Sequence, residues 1–558
     1  MRDQRCEAVR SARPGVLVFC AIVALPGPVS GAGQDDDLAP RLRGRIEALR
    51  TELDVRADDD RLLARQALPA FYEARGFEAA WIGGEEHRRA RAGLVRAIRS
   101  SRRHGLEPAD YHLQALVHLE AVVATGAASA AERADLDLLA SDAFMVLGSH
   151  LLHGRVNPET IDPEWLANRR NAAMHEVLAD ALRDGDVEAA LYELSPQQIR
   201  YRRMLEAADR LREAAAEGGW STPADGPSLV LGVEDVRVRA LRARLTASGD
   251  LSEGPPDDDT YDENVAEAVR RFQARHGLGV DGVVGPATRM ALNVSPAARA
   301  RQIELNLERW RWLPSDLGAH HIEVNIAGFD MRLVEDGRTV RRHRAVVGRQ
   351  YRQTPMFSGL MTYLVLAPYW HVPPTIAAVD KLPIIKQDPG TIASERMTLL
   401  DQRTNAPVDA STVDWAAITG SEFNRMYRLR QEPGPGNALG NVKFMFPNAH
   451  NVYLHDTPAR ELFDQTNRSF SSGCIRIDDP LGLAEHLLGD QPEWTRRRID
   501  ATVAAGIERT VRLTRGIPVH LLYWTAWADE DGVVHFRDDI YGRDTTVGRA
   551  LDADPPGS

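Results

Sequence analysis

The hydrophobic pattern of this 558-residue chain changes its period near residue 301, which is incompatible with a fold built from one class of element. Between about residues 61 and 215, apolar residues such as Leu94 and Ile98 recur at the helical spacing of three or four. After residue 301 they alternate, as in Ile322, Val324 and Ile326, which is typical of a half-buried strand. We therefore predict a multidomain α+β protein, with its helical part first and its β-rich part last.

The domain boundaries are predicted from composition and turn signals. Between residues 226 and 293, Val265, Val269 and Phe272 form one helical stripe, and Gly285-Pro286 is suited to a further helix start, which together indicate a three-helix bundle. The predicted units are a signal peptide (1–33), a polar lead-in (34–60), a helical scaffold (61–225), the three-helix bundle (226–293), a β-rich domain (301–527) and a C-terminal hairpin and tail (528–558). Residues from about 375 to 440 are polar and irregular, and we interpret them as a flap inserted into the β-rich domain.

The N-terminal segment has the three parts of an export signal. Four arginines between residues 2 and 13 precede an apolar run over 16–25 and a small, turn-rich stretch over 26–33. The apolar run of about ten residues is shorter than the roughly 20 that span a bilayer, which favours a cleaved signal over the alternative of an uncleaved N-terminal anchor. We therefore expect an exported protein.

Charge and cysteine content narrow the function classes. The formal net charge is −12, which argues against nucleic acid as a partner, because a phosphate-binding surface needs a basic excess. The chain has three cysteines. Cys6 and Cys20 fall in the predicted signal, so Cys474 is the one cysteine expected in the mature protein. It has no partner for an internal disulfide and is therefore predicted to be a buried or a reactive thiol.

The surroundings of Cys474 favour a nucleophile. Ser472 and Gly473 precede it, so a tight turn is expected to present the thiol, and backbone amides of such a turn can face an oxyanion. His455 is the best candidate base, and strand alternation places it on the same face as Tyr453. Taken alone, a structural cysteine and a structural histidine remain the alternative. A zinc site that includes His450 is disfavoured because recognised ligand spacing is missing.

Two stretches resemble known families. The order of Ala268-Val269-Arg270-Arg271-Phe272-Gln273, His276-Gly277-Leu278 and Asp281-Gly282-Val283-Val284-Gly285 resembles the peptidoglycan-binding domain type 1. Residues 301–525 resemble the YkuD-type catalytic domain of L,D-transpeptidases, whose histidine, spacer and Ser/Thr-x-Gly-Cys motif are matched by His455, Ser472, Gly473, Cys474 and Arg476. The common form of the motif has a second histidine where this chain has Ser472. That departure resembles the large YcbB-like branch, and it leaves the group that orients the base unassigned.

The resemblance implies a specific chemistry. Cys474 would attack a peptidoglycan tetrapeptide stem, His455 would move the proton, and amides near Gly473 and Cys474 would hold the oxyanion. The thioester would then pass to the side-chain amine of a second stem, giving a 3→3 cross-link. Tyr453, Arg476 and Trp370 would support the substrate, with core packing the alternative for Trp370. No cofactor and no metal is implied.

The implied partners are peptidoglycan stem peptides and glycan, together with proteins of cell-wall synthesis, and the implied location is the periplasm. Carbapenems would acylate Cys474. Two other readings stay open. In one, the same thioester is passed to water or to a lipoprotein amine. In the other, the chain is a wall-binding scaffold without catalysis.

Overall fold

The computed structural model describes residues 37–161, 170–252 and 258–554. The predicted signal peptide, with Cys6 and Cys20, lies outside the described residues. Within the described ranges, every helix is too short or too polar to cross a membrane.

The N-terminal region is helical, with one short hairpin, β1 (Arg56–Ala57) and β2 (Asp60–Arg61). Its longest helix begins with a capping box, in which Ser129 and Glu132 satisfy each other's backbone amides. That helix passes through the middle of the region and buries two acidic residues, Asp137 and Asp142. The helices are α1 (Leu38–Thr51), α2 (Ala67–Ala74), α3 (Glu85–Ser100), α4 (Leu113–Ala124), α5 (Ala130–His153), α6 (Pro158–Ile161), α7 (Met174–Asp184), α8 (Val187–Leu194) and α9 (Ile199–Ala216).

A three-helix unit follows, as predicted, formed by α10 (Arg237–Ala247), α11 (Glu263–His276) and α12 (Pro286–Leu292). Asp262 caps the start of α11 by accepting a hydrogen bond from the amide of Val265, and Gly277 ends it in the left-handed conformation. The predicted stripe of α11 packs into a separate apolar core.

The last third is built on a nine-stranded sheet that begins after α13 (Pro296–Arg311). The turn at Asp336-Gly337 has positive φ at both residues, as a two-residue hairpin requires. The first strands of the large sheet in chain order are β3 (His320–Asn325), β4 (Asp330–Glu335), β5 (Arg338–Gly348) and β6 (Phe357–Leu366).

An insertion lies between β6 and the next strand of the large sheet. It has its own three-stranded sheet and its own apolar core, so it is a folded unit and not an irregular loop. A π-helical turn, Ala377–Lys381, interrupts its helices. Its elements are β7 (Trp370–His371), α14 (Pro374–Ile376), α15 (Leu382–Gln387), α16 (Thr391–Ser394), β8 (Met397–Asp401), α17 (Gly420–Met426) and β9 (Tyr427–Gln431).

The remaining strands complete the large sheet in the order β12-β5-β13-β11-β10-β6-β14-β3-β4, and an additional pairing of β4 with β5 closes eight of them into a ring. The predicted C-terminal hairpin is present as β15 and β16, and a final helix packs after it. These elements are β10 (Val442–Met445), β11 (Leu454–His455), β12 (Ser469–Ser471), β13 (Ile475–Ile477), α18 (Pro480–Leu487), α19 (Arg496–Ala504), β14 (Arg509–Leu522), β15 (Ala526–Ala528), β16 (Val534–Phe536) and α20 (Arg543–Asp552).

Candidate active site

Two neighbouring parallel strands bring the predicted cysteine and histidine together. In the register of β11 and β13, Leu454 lies opposite Ile475 and His455 lies opposite Arg476. Leu454 and Ile475 are both fully buried in the core of the sheet. Because side chains alternate along a strand, the residues on either side of this pair face the other way. Four predicted site residues therefore share one face, namely Tyr453, His455, Cys474 and Arg476.

The turn before Cys474 is held by Ser471, which the sequence analysis did not single out. Its hydroxyl donates to the carbonyl of Cys474 at 2.6 Å and accepts the amide of Gly473 at 3.1 Å. Gly473 has φ +114°, a conformation that side chains rarely adopt. Its carbonyl accepts a hydrogen bond from Thr354 Oγ1 at 2.9 Å. The Gly473 amide is thus engaged inside the turn, whereas the Cys474 amide forms no hydrogen bond within the described part of the chain.

The ring of His455 is buried and its orientation is set by the next residue. Its Nδ1 lies within hydrogen-bond distance of the carbonyl of Asp456, and since a carbonyl only accepts, Nδ1 carries the proton. Nε2 is then the unprotonated nitrogen. Burial, and next the positive charge of Arg476, lowers the pKa of His455 to about 3, with a smaller contribution from Lys443. The ring is therefore neutral at physiological pH and can accept a proton.

Cys474 is partly exposed, and its thiol is within 3.7 Å of the carbonyl of Asn451. Desolvation raises the pKa of the Cys474 thiol, while hydrogen bonding from Tyr453 and the charge of Arg476 oppose that rise. The resting pair is thus a neutral thiol and a neutral imidazole. No hydrogen bond joins Sγ to the His455 ring among the described residues, which is common in active sites without substrate.

Asp456 is a further support of the site. Its carboxylate accepts the amides of Asn441 at 2.8 Å and Thr457 at 2.6 Å and pairs with Arg460, so the backbone that carries the Asp456 carbonyl is fixed. Gly440 is needed nearby, because a Cβ there would lie 2.3 Å from the Asp456 carboxyl carbon. This support was missed from the sequence, since the functional atom is a backbone carbonyl that any residue provides.

Protein-family models match three parts of the chain. Residues 319–507 match the L,D-transpeptidase catalytic domain. The chain carries a transpeptidase domain of this family. Residues 234–292 match the family described as "Putative peptidoglycan binding domain", and residues 66–207 match a scaffold domain. The prediction of a multidomain α+β protein with these two modules is confirmed.

Individual relatives cover only part of the chain. A "Putative L,D-transpeptidase" of Haemophilus influenzae is 34% identical over 250 residues, which is 45% of this chain and 49% of the relative. The chain thus spans about half the length of that curated relative. An N-acetylmuramoyl-L-alanine amidase of Bacillus licheniformis is 36% identical over 72 residues, 13% of this chain and 20% of the relative.

Among solved structures, an L,D-transpeptidase from Xylanimonas cellulosilytica is 17% identical. It covers 54% of this chain and 100% of its own, with a TM-score of 0.18.

The insertion of the transpeptidase domain contacts the site through two residues. Tyr453 packs against both the core of the large sheet and the core of the insertion. Ser472, which is exposed, accepts a hydrogen bond at 2.9 Å from Arg352, and Arg352 also pairs with Asp380 in the π-helical turn. Ser472 is therefore linked to the insertion, and the shaping of the turn is done by Ser471.

Trp370 is not on the face that carries the other predicted site residues. It is 8% exposed, belongs to the apolar core of the insertion, and has Lys381 Nζ 5.9 Å from its ring centre. This position fits the core-packing alternative that the sequence left open. Tyr453 packs against the same core, which links Trp370 to the face of Cys474 through packing.

Proposed function

We propose that this protein is an exported cysteine acyltransferase that forms 3→3 cross-links between peptidoglycan stem peptides. The observation that carries the proposal is the arrangement of His455. Its proton sits on Nδ1, its Nε2 is free of a proton, and it shares a face with the Cys474 thiol. A neutral base beside a neutral thiol is the starting state for general-base activation of a nucleophile.

In the first half-reaction, the thiol proton moves to His455 as Cys474 Sγ bonds to the carbonyl carbon between the L-centre of the diamino acid and the terminal D-alanine. The carbonyl becomes a tetrahedral oxyanion. The Cys474 amide is the available backbone donor in the turn, since the Gly473 amide is bonded to Ser471. When the carbon–nitrogen bond breaks, His455 returns the proton to the leaving amine, and a thioester and free D-alanine result.

In the second half-reaction, the side-chain amine of another stem attacks the thioester. His455 takes a proton from that amine and gives it to the departing sulfur, which restores the thiol. Arg476, on the same face, would attract a carboxylate of the substrate, and Tyr453 would form a wall of the cleft. Since both charged neighbours of His455 are cations, protonation of the ring is favourable only while a negative charge is present nearby.

The location of the reaction follows from its substrate. Peptidoglycan lies outside the cytoplasmic membrane, and the N-terminal segment has the features of an export signal. We propose the periplasm, with peptidoglycan as the partner recognised by the module at 234–292. The assignment to the YcbB-like branch and the reaction with carbapenems remain predictions.

Product analysis tests this function. The mature protein is incubated with disaccharide-tetrapeptides and the products are identified by mass spectrometry, beside Cys474→Ala and His455→Ala. We expect a 3→3 dimer with loss of D-alanine for the unmodified protein and none for either variant. Tripeptide alone would replace the proposal by a carboxypeptidase.

If no turnover occurs, the intact mass after incubation with a carbapenem distinguishes the remaining cases. An adduct that is absent in Cys474→Ala would show a live nucleophile that lacks its acceptor. No adduct on the unmodified protein would favour a non-catalytic scaffold.

A further inference from the structure

A second concave site lies far from Cys474 in the sequence, where three parts of the molecule meet. An open cavity of about 400 Å³ is lined by α9 and the segment after it, by the three-helix unit with the start of α13, and by β16. None of the residues on the face of Cys474 lines it. We call it the arginine cavity, and its defining residues are Arg210, Trp220, Arg244, Arg275, Arg299 and Phe536.

The arginine cavity holds more positive than negative charge. Arg275 is neutralised by an ion pair with Asp250. Arg244 and Arg299 are only 1% and 8% exposed, yet neither forms an ion pair with a carboxylate within the described ranges. Arg244 uses Nε to bond the carbonyl of Leu292 at 2.8 Å, while its Nη1 has no hydrogen-bond partner in the same part of the chain.

Arg299 is held by uncharged groups. Its Nη1 donates to Gln302 at 2.8 Å and its Nη2 to the carbonyl of Ala291 at 3.2 Å, whereas its Nε is unpartnered within the described residues. A buried cation without an anion is costly, and burial accordingly lowers the pKa of Arg244 to about 9 and that of Arg299 to about 10. An anionic group in the arginine cavity would remove this cost.

Aromatic rings form the other walls. The guanidinium of Arg244 lies 3.7 Å from the ring centre of Trp220, and that of Arg299 lies 4.7 Å from the ring centre of Phe536. Planar guanidinium groups recognise carboxylates, and the rings offer apolar surface beside them. The ligand that suits the arginine cavity is therefore a molecule with a carboxylate next to an apolar aliphatic or cyclic group.

We propose that the arginine cavity binds a carboxylate of a peptidoglycan stem peptide, as a holding site separate from the catalytic face. This proposal rests on the proposed function for the identity of the polymer. The match of residues 234–292 to the peptidoglycan-binding family favours the same ligand, because Arg244 and Arg275 belong to that segment. A strand of wall held here would keep its neighbouring stems near the catalytic domain, which raises their effective concentration.

Calorimetry on the full chain with Cys474→Ala tests the proposal, because that background binds without turnover. Soluble disaccharide-tetrapeptide is the probe, and Arg244→Gln is compared with the control Arg270→Gln, whose arginine pairs with Glu263 and Glu267 outside the cavity. We expect Arg244→Gln to weaken one binding event about ten-fold, as loss of a charge-assisted hydrogen bond implies. The control should bind like its parent.

A second variant and a second probe test the proposal if Arg244→Gln does not fold. Arg210→Gln changes an exposed position at the cavity and should weaken the same event, and a probe with amidated carboxylates should lose it altogether. Equal binding by all variants, or acetate binding as tightly as the tetrapeptide, would overturn the proposal. Turnover by the chain with its native cysteine is measured separately, so failure of this site is distinguishable from failure of the proposed function.

Discussion

Two buried histidines in this molecule are held in opposite charge states. His112, just before α4, is 7% exposed and lies between two carboxylates, Asp60 at 3.0 Å and Asp142 at 2.8 Å. Burial alone would lower its pKa, but the hydrogen bonds to Asp142 and Asp60 raise the pKa to about 9. His455 is 4% exposed and has a carbonyl and two cations as neighbours, so its pKa falls to about 3.

The difference shows that burial does not decide what a histidine does. Both ring nitrogens of His112 donate to carboxylates, which leaves none free for chemistry and makes the residue a charged cross-link in the helical region. His455 uses one nitrogen for positioning and keeps the other free. The hydrogen-bond partners therefore distinguish a histidine with both nitrogens engaged from one that keeps a nitrogen available for proton transfer.

The largest expected effect comes from removing the free nitrogen. His455→Gln should reduce kcat about 10²–10⁴-fold, because Gln cannot act as a base, while the thermal midpoint changes little. Turnover of disaccharide-tetrapeptide and a thermal melt measure the two quantities. A variant that keeps more than half of kcat would remove His455 from the mechanism.

His112→Ala should lower the stability of the protein and leave its kcat unchanged, the opposite of His455→Gln. It leaves Asp142 buried without its cation and should cost about 3–5 kcal/mol of stability, with the kcat of the folded protein unchanged. Urea unfolding at pH 6.5, followed by helical circular dichroism, measures the loss. A loss below about 1 kcal/mol would show that the amides of Leu63 and Ala64, which also bond Asp142, suffice.

The pH dependence sharpens the contrast, because the two histidines contribute with opposite sign. The raised pKa of His112 gives stability that is fully present below about pH 6.5 and is lost as pH rises towards 9, on the order of 2–3 kcal/mol. The lowered pKa of His455 gives stability that is present above about pH 6.5 and is lost as pH falls towards 3.

Urea unfolding should therefore show that the free energy of unfolding of the unmodified protein is lower at pH 9 than at pH 6.5. His112→Gln should be less stable at pH 6.5 but should lose less on going to pH 9. If this variant loses as much unfolding free energy between pH 6.5 and pH 9 as the unmodified protein does, groups other than His112 cause the loss.

The smallest expected effect concerns the link between the insertion and the turn before Cys474. Arg352→Gln breaks the partly exposed pair with Asp380 and the bond to Ser472, worth about 0.5–1 kcal/mol, so kcat/KM should fall only two- to five-fold. Asp380→Asn is the matched variant, and a double-mutant cycle on kcat/KM should show that the two changes are not additive. Additive effects would mean that the pair does not couple the insertion to the site.

Local patterns predicted much of this molecule. The alternation from Ile322 to Ile326 predicted strand β3, because a half-buried strand leaves a short-range signal. Asp336-Gly337 carries a similar local signal, since its composition suits the two-residue turn that joins β4 to β5. Strand β14 runs from Arg509 to Leu522. Its first half gives a weak local signal, because Val511 and Leu513 are its two apolar residues among arginines and threonines.

For the candidate site as well, residues with a local sequence signal were predicted and residues without one were missed. Cys474 and His455 stand in a recognisable motif, whereas Arg352 and Asp380 lie about 100 residues from Ser472 and carry no local signal. Asp137 and Asp142 were missed because a carboxylate within a helix is normally exposed. Asp137 is buried because distant amides and Tyr72 bond it. Asp142 is buried because His112 and the amides of Leu63 and Ala64 bond it. Such contacts depend on the tertiary fold.

The position of the insertion has a consequence for how this domain can vary. Strands β6 and β10 are antiparallel neighbours, and the amide of Ala367 bonds the carbonyl of Asn441 at 2.8 Å, directly where the insertion leaves and rejoins the sheet. In topological terms the whole unit is an enlarged hairpin loop. The entropy of closing a loop grows slowly with its length, and the unit has a core of its own. A different inserted unit could therefore replace this one at the same junction. Such an exchange would alter what can approach Cys474 while the strands of Cys474 and His455 stay in register.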